Sequence, residues 1–87
     1  MVASSVESIK QLEQGRERLD ALLAKDPDVL VPPSDQQGLE HAIAVGVAVL
    51  AGEDAPAADV EPSTRQILAK DLRITTDLVL RALRSHS

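Results

Sequence analysis

The chain has 87 residues, a net charge of −5 and no Cys, Phe, Tyr or Trp. A chain of this length forms at most one small domain, here residues 1–87, and the missing residue types exclude thiol chemistry, disulfides and base stacking on aromatic rings. The hydrophobic fraction of 44% is typical of a folded protein, so the core must consist of aliphatic side chains. A small aliphatic core without a disulfide often needs a second subunit, which favours a homo-oligomer or a complex.

The first segment, residues 1–26, carries the pattern of an amphipathic helix. Its apolar side chains recur at steps of three and four residues: Val2, Ile9, Leu12, Leu19 and Leu23. Ser4 or Ser5 is suited to cap the start of this helix. Arg16 falls on the apolar stripe, which leaves two interpretations. Either its stem packs while its head reaches solvent, or it sets the register of a coiled-coil dimer.

The second segment, residues 27–33, is predicted to be an extended connector. Pro27 ends the preceding helix, because the residue before a proline is disfavoured in the α conformation, and two further prolines close the segment. Residues 29–31 are apolar and are expected to cover one end of the core. The alternative is that they form a docking edge for a strand of a partner.

The third segment, residues 34–51, is predicted to be a buried central helix. Ser34 and Gln37 have the spacing of a capping box. Most of the residues that follow are apolar, and on a helix they would cover most of its circumference. A helix with so little polar surface must be buried on several sides. Small residues at every fourth position allow another helix to approach closely: Gly38, Ala42 and Gly46. Gly52 is a natural helix end, and residues 52–62 follow as an acidic linker.

The last segment, residues 63–87, is basic and helical in pattern. Ser63 and Gln66 repeat the capping-box spacing. Two interpretations remain open: a break with Thr75 or Thr76 capping a second helix, or one continuous helix. The expected fold is therefore all-α, a small bundle of three to four short helices with a buried central helix.

The sequence contains no pattern that predicts catalysis. His41 and His86 are the only histidines, and neither has a metal-ligand partner at helical spacing. Phosphate-binding loops and nucleophile elbows are also missing, so we expect no enzyme activity, no cofactor and no metal site. The longest apolar run, residues 42–51, is far shorter than the roughly 20 residues of a membrane span. No signal-peptide pattern is present, so we expect a cytoplasmic protein without a membrane partner.

Charge is distributed unevenly along the chain. Residues 63–87 contain five basic and two acidic residues, a net charge of +3, whereas residues 1–62 contain four basic and twelve acidic residues, a net charge of −8. Such asymmetry between the two parts of the chain indicates an interaction with a charged partner. The simpler interpretations are a solvated helix face, or an intramolecular match between the basic segment and the acidic first helix.

Residues 68–83 resemble the core of a helix-turn-helix DNA-binding unit. The resemblance depends on a small residue in the first helix and three apolar residues around the turn: Ala69, Leu72, Ile74 and Val79. Arg73 stands where that family usually has glycine. The resemblance implies a recognition helix that includes Thr75, Thr76, Asp77, Leu80, Arg81 and Arg84. The side chains available to nucleic acid would then be Arg65, Lys70, Arg73, Thr75, Thr76, Arg81 and Arg84. The net charge of −5 disfavours such a partner.

The sequence favours a non-catalytic protein–protein interaction module, an accessory, adaptor or docking protein that forms homo-oligomers. The predicted contact residues lie on the last helix: Leu78, Leu80, Arg81, Leu83 and Arg84. Three consecutive apolar residues at 78–80 cannot all face one core, and Leu80 is the one we expect to be exposed. The alternative is a small helix-turn-helix transcriptional regulator or antitoxin-like protein that uses residues 63–84. A third hypothesis is an inhibitor whose acidic half mimics nucleic acid.

Overall fold

The computed structural model describes residues 5–54 and 65–86, which form three packed α-helices and no strand. Helix α1 spans Ser5–Lys25, α2 spans Pro33–Ala51 and α3 spans Ala69–Ser85. The described part of the chain is therefore an all-α bundle, as the sequence predicted, with three helices. Most of the predicted acidic linker, together with the proposed caps Ser4 and Ser63, lies outside the described residues.

Helix α1 packs the described part of its predicted apolar stripe against the core, and Val2 lies outside the described residues. Leu12 and Leu19 are almost completely buried, and Ser8 occupies the same face one turn earlier. The helix ends before Pro27, and the Asp26 carboxylate accepts a hydrogen bond from the Asp28 backbone N–H at 3.0 Å. Such Asx turns are a common way for Asp to replace helical hydrogen bonds at a chain reversal.

The connector pairs with the chain just before α3. Leu30 and Leu68 form an isolated antiparallel bridge, in which the Val31 N–H donates to the Ile67 carbonyl and the Ala69 N–H to the Val29 carbonyl, both at 2.9 Å. Val31 is buried against the core, so the expectation that residues 29–31 cover one end of it is confirmed at that position. The connector carbonyl also satisfies an N–H in the first turn of α3, which helps to fix where that helix begins.

Helix α2 begins one residue earlier than predicted. Pro33 is its first residue, Pro32 is the N-cap and no side chain caps the helix, so the predicted capping box at Ser34 and Gln37 is not formed. Proline is favoured at this first position because its missing N–H has no helical partner there and its φ is already helical. That preference explains why the helix starts ahead of the serine.

The end of α2 agrees with the sequence. Gly52 adopts a left-handed conformation with φ 70°, and its N–H and that of Glu53 donate to carbonyls in the last turn. Glycine has no steric penalty at this φ, which makes it the usual residue after a helix C-terminus. Along the helix, Leu39, Ala42 and Val49 join the core, but Val47 is 51% exposed. Burial of α2 is therefore incomplete, and part of its apolar surface faces solvent.

Helix α3 is continuous from Ala69–Ser85, which settles the two interpretations left open by the sequence. Residues 66–68 precede the helix in a non-helical conformation, so the helix begins well after the predicted capping box. The buried residues follow a three-four spacing along the whole length of α3: Ala69, Leu72, Thr76, Val79, Leu80 and Leu83. This uninterrupted stripe packs against the other two helices, and a break in its middle would remove half of it from the core.

The three helices approach each other closely at glycines. A Cβ added at Gly46 of α2 would lie 2.9 Å from Val79 Cγ1 of α3, and one at Gly15 of α1 would lie 2.5 Å from Leu39 Cδ1 of α2. The prediction of a close helix approach is confirmed at Gly46, whereas Gly38 has nothing within 4 Å of its Cβ position. Absence of a side chain at these contacts lets two helix backbones pack at a shorter distance.

Candidate interaction surface

One side of α3 is bound to α1 by a row of ion pairs. Successive contacts join Arg84 to Glu13 at 3.0 Å, Asp77 to Arg16 at 3.3 Å, and Arg73 to Asp20 at 2.5 Å. The residue numbers rise along α1 as they fall along α3, so the two helices are antiparallel. Arg16 therefore has its head group in an intramolecular pair at the edge of the helix contact.

The Arg73–Asp20 pair also affects ionisation. The hydrogen bond from the Arg73 guanidinium to the Asp20 carboxylate raises the pKa of Arg73 above its usual range, with the nearby negative charges of Asp20 and Asp77 adding to the effect against the opposing influence of burial. The ion pair stabilises the fold only while Arg73 is protonated. Its contribution would begin to be lost at pH values above the ordinary pKa of arginine. The cationic side of this contact therefore persists throughout the working pH range.

Other basic side chains of the last segment also have partners within the chain. Lys70 pairs with Asp28 of the connector at 3.6 Å, and Arg81 pairs with Asp77 one helical turn earlier at 3.5 Å. Arg65, before α3, contributes its carbonyl to a hydrogen bond from the buried Gln36 side chain. The charge asymmetry is thus largely matched within the molecule, which is the intramolecular interpretation that the sequence left open.

Gln36 has a structural role that the sequence pattern did not indicate. Its side chain is buried, donates to the Arg65 carbonyl at 2.5 Å and to Glu40 at 3.3 Å, and accepts from the Ile67 N–H at 3.3 Å. These bonds fix the chain that leads into α3 against the first turn of α2. A buried amide can satisfy two backbone groups at once, but nothing in the local sequence pattern signals that role.

The predicted exposure of Leu80 is wrong. Leu80 has no exposed surface and Leu83 is also buried, so both side chains belong to the core rather than to a free surface. Leu78 is the exposed member of the apolar triplet, with 60% of its surface accessible. Because α3 contacts both α1 and α2, its buried arc is wide enough to include two neighbouring residues, Val79 and Leu80.

Ile74 joins Leu78 on the outer side of α3. Its exposed fraction is also 60%, and it precedes Leu78 by one helical turn. In the helix-turn-helix resemblance, Ile74 corresponds to the apolar residue inside the turn. Continuous helix instead carries it to the solvent side, so the two aliphatic side chains lie next to each other there.

The geometry required for a helix-turn-helix unit is not formed. Residues 73–75, where that family turns, are helical, and Thr76 lies fully buried with its hydroxyl donating to the Leu72 carbonyl at 2.8 Å. The exposed Thr75 hydroxyl makes the equivalent bond to the Asp71 carbonyl at 3.4 Å. Neither threonine caps a second helix. Of the positions that carried the resemblance, Ala69, Leu72 and Val79 pack along one helix rather than around a turn, and Ile74 is exposed.

A groove of about 170 Å³ lies between α1 and α2. Gly15, Leu39 and Ala42 are among its apolar lining, and the Arg18–Asp35 ion pair at 3.7 Å lies at its polar side. The lining contains neither histidine nor a second carboxylate, so it offers no pair of groups for acid–base chemistry. Within residues 5–54 and 65–86, no group of three acidic or histidine side chains is placed to hold a metal ion.

None of the described helices is sufficiently long and apolar to cross a membrane. The cytoplasmic location expected from the sequence remains a prediction.

Comparison with known proteins gives no match to a family model, to a curated protein or to a solved structure. The function must therefore be argued from the surface of this bundle alone.

Proposed function

We propose that this protein is a non-catalytic protein–protein interaction module that contacts its partner through the outer side of α3. The supporting observation is the pair of large aliphatic side chains, Ile74 and Leu78, each 60% exposed on adjacent turns of one helix. Single exposed apolar residues are ordinary on protein surfaces. Two of them on adjacent turns of an otherwise polar helix face are typical of an amphipathic contact surface.

The contact surface proposed here differs from the set predicted from the sequence. Leu78 and Arg81 stay in it, because both are exposed. Leu80 and Leu83 are used by the core, and Arg84 is held by Glu13 on the α1 side. Ile74 enters the set because the helix is continuous. Arg81 lies at the edge of the apolar pair, where a charged side chain would give orientation rather than most of the affinity.

The DNA-binding hypothesis has less support than the interaction module. It required a turn at residues 73–75 and arginines gathered on an open face. Those residues are helical, and Arg73 and Arg84 are ion-paired to carboxylates of α1. A phosphate backbone would have to displace those carboxylates while also meeting a protein of net charge −5.

A photo-crosslinking experiment in cells tests the proposed function. A benzophenone amino acid replaces Leu78 in one variant and Glu17, an exposed residue of α1, in a matched control. We expect a discrete crosslinked species from position 78 and none from position 17, because only the former lies on the proposed contact surface. Identical patterns from both positions, or no product from position 78, would contradict the proposal.

A further inference from the structure

The exposed side of α3 carries four residues in a three-four-three spacing, which we call the outer stripe: Asp71, Ile74, Leu78 and Arg81. All four are exposed. This spacing is that of one seam of a coiled coil, in which side chains at such positions meet those of a facing helix. The stripe is apolar in its middle and carries one charge at each end, negative near the N-terminus of α3 and positive toward its C-terminus.

From this arrangement we infer that a second copy of the chain docks on the outer stripe, with the two α3 helices antiparallel around a two-fold axis. The inference rests on the proposed function and names the partner. A two-fold axis perpendicular to α3 at the level of residue 76 places Ile74 of one copy opposite Leu78 of the other copy. The same rotation brings Asp71 onto Arg81 of the other copy, and each contact occurs twice. The sequence of the stripe is therefore complementary to itself in the antiparallel direction only.

A parallel arrangement lacks this complementarity. Asp71 would face Asp71 and Arg81 would face Arg81, which places like charges opposite each other at both ends of the stripe. A two-fold interface uses one patch on both subunits, so charge complementarity within the patch is what such pairing requires. Asp71 has no ion pair within residues 5–54 and 65–86, and Arg81 makes only an exposed pair with Asp77 at 3.5 Å, so both ends are available.

The remaining charges of α3 do not oppose this contact. Arg73, Asp77 and Arg84 pair with residues of α1, and Lys70 pairs with Asp28 of the connector. A helix of 17 residues offers about 25 Å of length for pairing, so one helix pair buries a modest area. We therefore expect a dimer that dissociates on dilution in the micromolar range or above rather than a permanent one.

Charge reversal followed by mixing tests the inference. Asp71→Arg sets two positive charges against each other across the interface, because the new guanidinium faces Arg81 of the other copy. Arg81→Glu sets two negative charges against each other, because the new carboxylate faces Asp71. Each variant alone is expected to dimerise on the order of tenfold more weakly than the natural chain, because each like-charge contact forms twice. In a heterodimer of the two variants, the new guanidinium faces the new carboxylate at one end of the stripe, and the natural Arg81 faces the natural Asp71 at the other. An equimolar mixture should therefore form the heterodimer with about the natural affinity.

The dimer is measured by sedimentation equilibrium of the full-length chain with interference optics, since the chain has no Tyr or Trp. Circular dichroism must show natural helix content in each variant. The Arg81→Glu chain lacks the Arg81–Asp77 pair both alone and in the mixture, so restored dimerisation in the mixture cannot come from that pair. Restored dimerisation only in the mixture supports the antiparallel dimer. A monomeric natural chain, or a mixture no stronger than its components, overturns it. A monomer that still crosslinks another protein from position 78 would overturn this inference and leave the proposed function standing.

Discussion

At the residue scale, the contrast between Leu78 and Leu80 shows how a small bundle divides one apolar run. The two residues are separated by about 200° around the helix. One side chain is 60% exposed and the other has no exposed surface. Val79 lies against Gly46 of α2. Leu80 is one residue, about 100°, further round the helix, on the side where Arg73, Asp77 and Arg84 pair with α1. The core of this protein is therefore reached from two sides of α3, and the third side remains for contact.

This division predicts opposite outcomes for two identical substitutions. Leu80→Asp should lower the free energy of unfolding by more than about 3 kcal/mol, because it removes a buried aliphatic side chain and buries a carboxylate without a partner. Leu78→Asp should change the free energy of unfolding by less than about 0.5 kcal/mol, as is usual at the surface. Urea denaturation followed by far-ultraviolet circular dichroism measures both. Comparable losses in the two variants would contradict the assigned faces of α3.

The glycines of α2 provide a second matched pair. Gly38→Ala should raise the free energy of unfolding by roughly 0.5–1 kcal/mol, since alanine is the better helix former and nothing lies within 4 Å of its Cβ. Gly46→Ala gains the same propensity but places its Cβ 2.9 Å from Val79 Cγ1, and overpacking of a core costs about 1–3 kcal/mol.

We therefore expect Gly46→Ala to be the less stable of the two by about 1 kcal/mol or more. The β-branched Val79 has little rotamer freedom with which to move away, so the helices themselves would have to separate. The same urea titrations give the comparison. Equal stabilisation at both positions would mean that α2 and α3 are further apart than the structure shows.

At the element scale, continuity of α3 makes a prediction at Arg73, the position where a helix-turn-helix family would have glycine. Arg73→Gly and Arg73→Ala both lose the ion pair to Asp20. The difference between their free energies of unfolding therefore reports on the backbone conformation at position 73 alone. In a continuous helix the glycine variant should be less stable than the alanine variant by about 1 kcal/mol. In a left-handed turn the order would reverse, because a residue with a Cβ costs roughly 1–2 kcal/mol there. Thermal or urea unfolding of the pair decides between the two.

Parts of the fold were open to prediction because they depend on local rules. The stripe of α1, the stop at Pro27 and the end of α2 at Gly52 follow from periodicity and from backbone preferences. The continuity of α3 was not decidable locally, because Thr75 and Thr76 suit a cap and a helix interior alike. Burial of the whole stripe decides it, and that burial depends on where α1 and α2 lie.

The candidate surface was predictable in kind but not in its residues. An exposed apolar residue within positions 78–80 follows from helical geometry, but the choice between Leu78 and Leu80 depends on which sides of α3 have neighbours. Ile74 carries no local sign of exposure. Its exposure follows from the continuity of α3, and the self-complementary order of the outer stripe follows from it as well.

At the scale of the whole molecule, the basic side chains of α3 are paired within the chain and are therefore no evidence of an acidic partner. Helix α1 lies antiparallel to the basic helix α3, and carboxylates of α1 and of the connector pair with Lys70, Arg73 and Arg84. Exposed pairs contribute only about 0–1 kcal/mol each. The signs nevertheless alternate along both helices, so a shift of one helix by one pair would bring like charges together and is disfavoured.

This internal matching predicts that the protein does not bind duplex DNA. Binding would require several phosphate contacts, and those made by Lys70, Arg73 or Arg84 would have to replace carboxylates that already pair with these residues. The net charge of −5 adds repulsion at long range. Fluorescence anisotropy of labelled duplex at about 50 mM and about 200 mM salt should therefore show no saturable binding at either. Binding that weakened steeply between the two salt concentrations would show that phosphate can displace α1, and would return the arginines of α3 to a role in recognition.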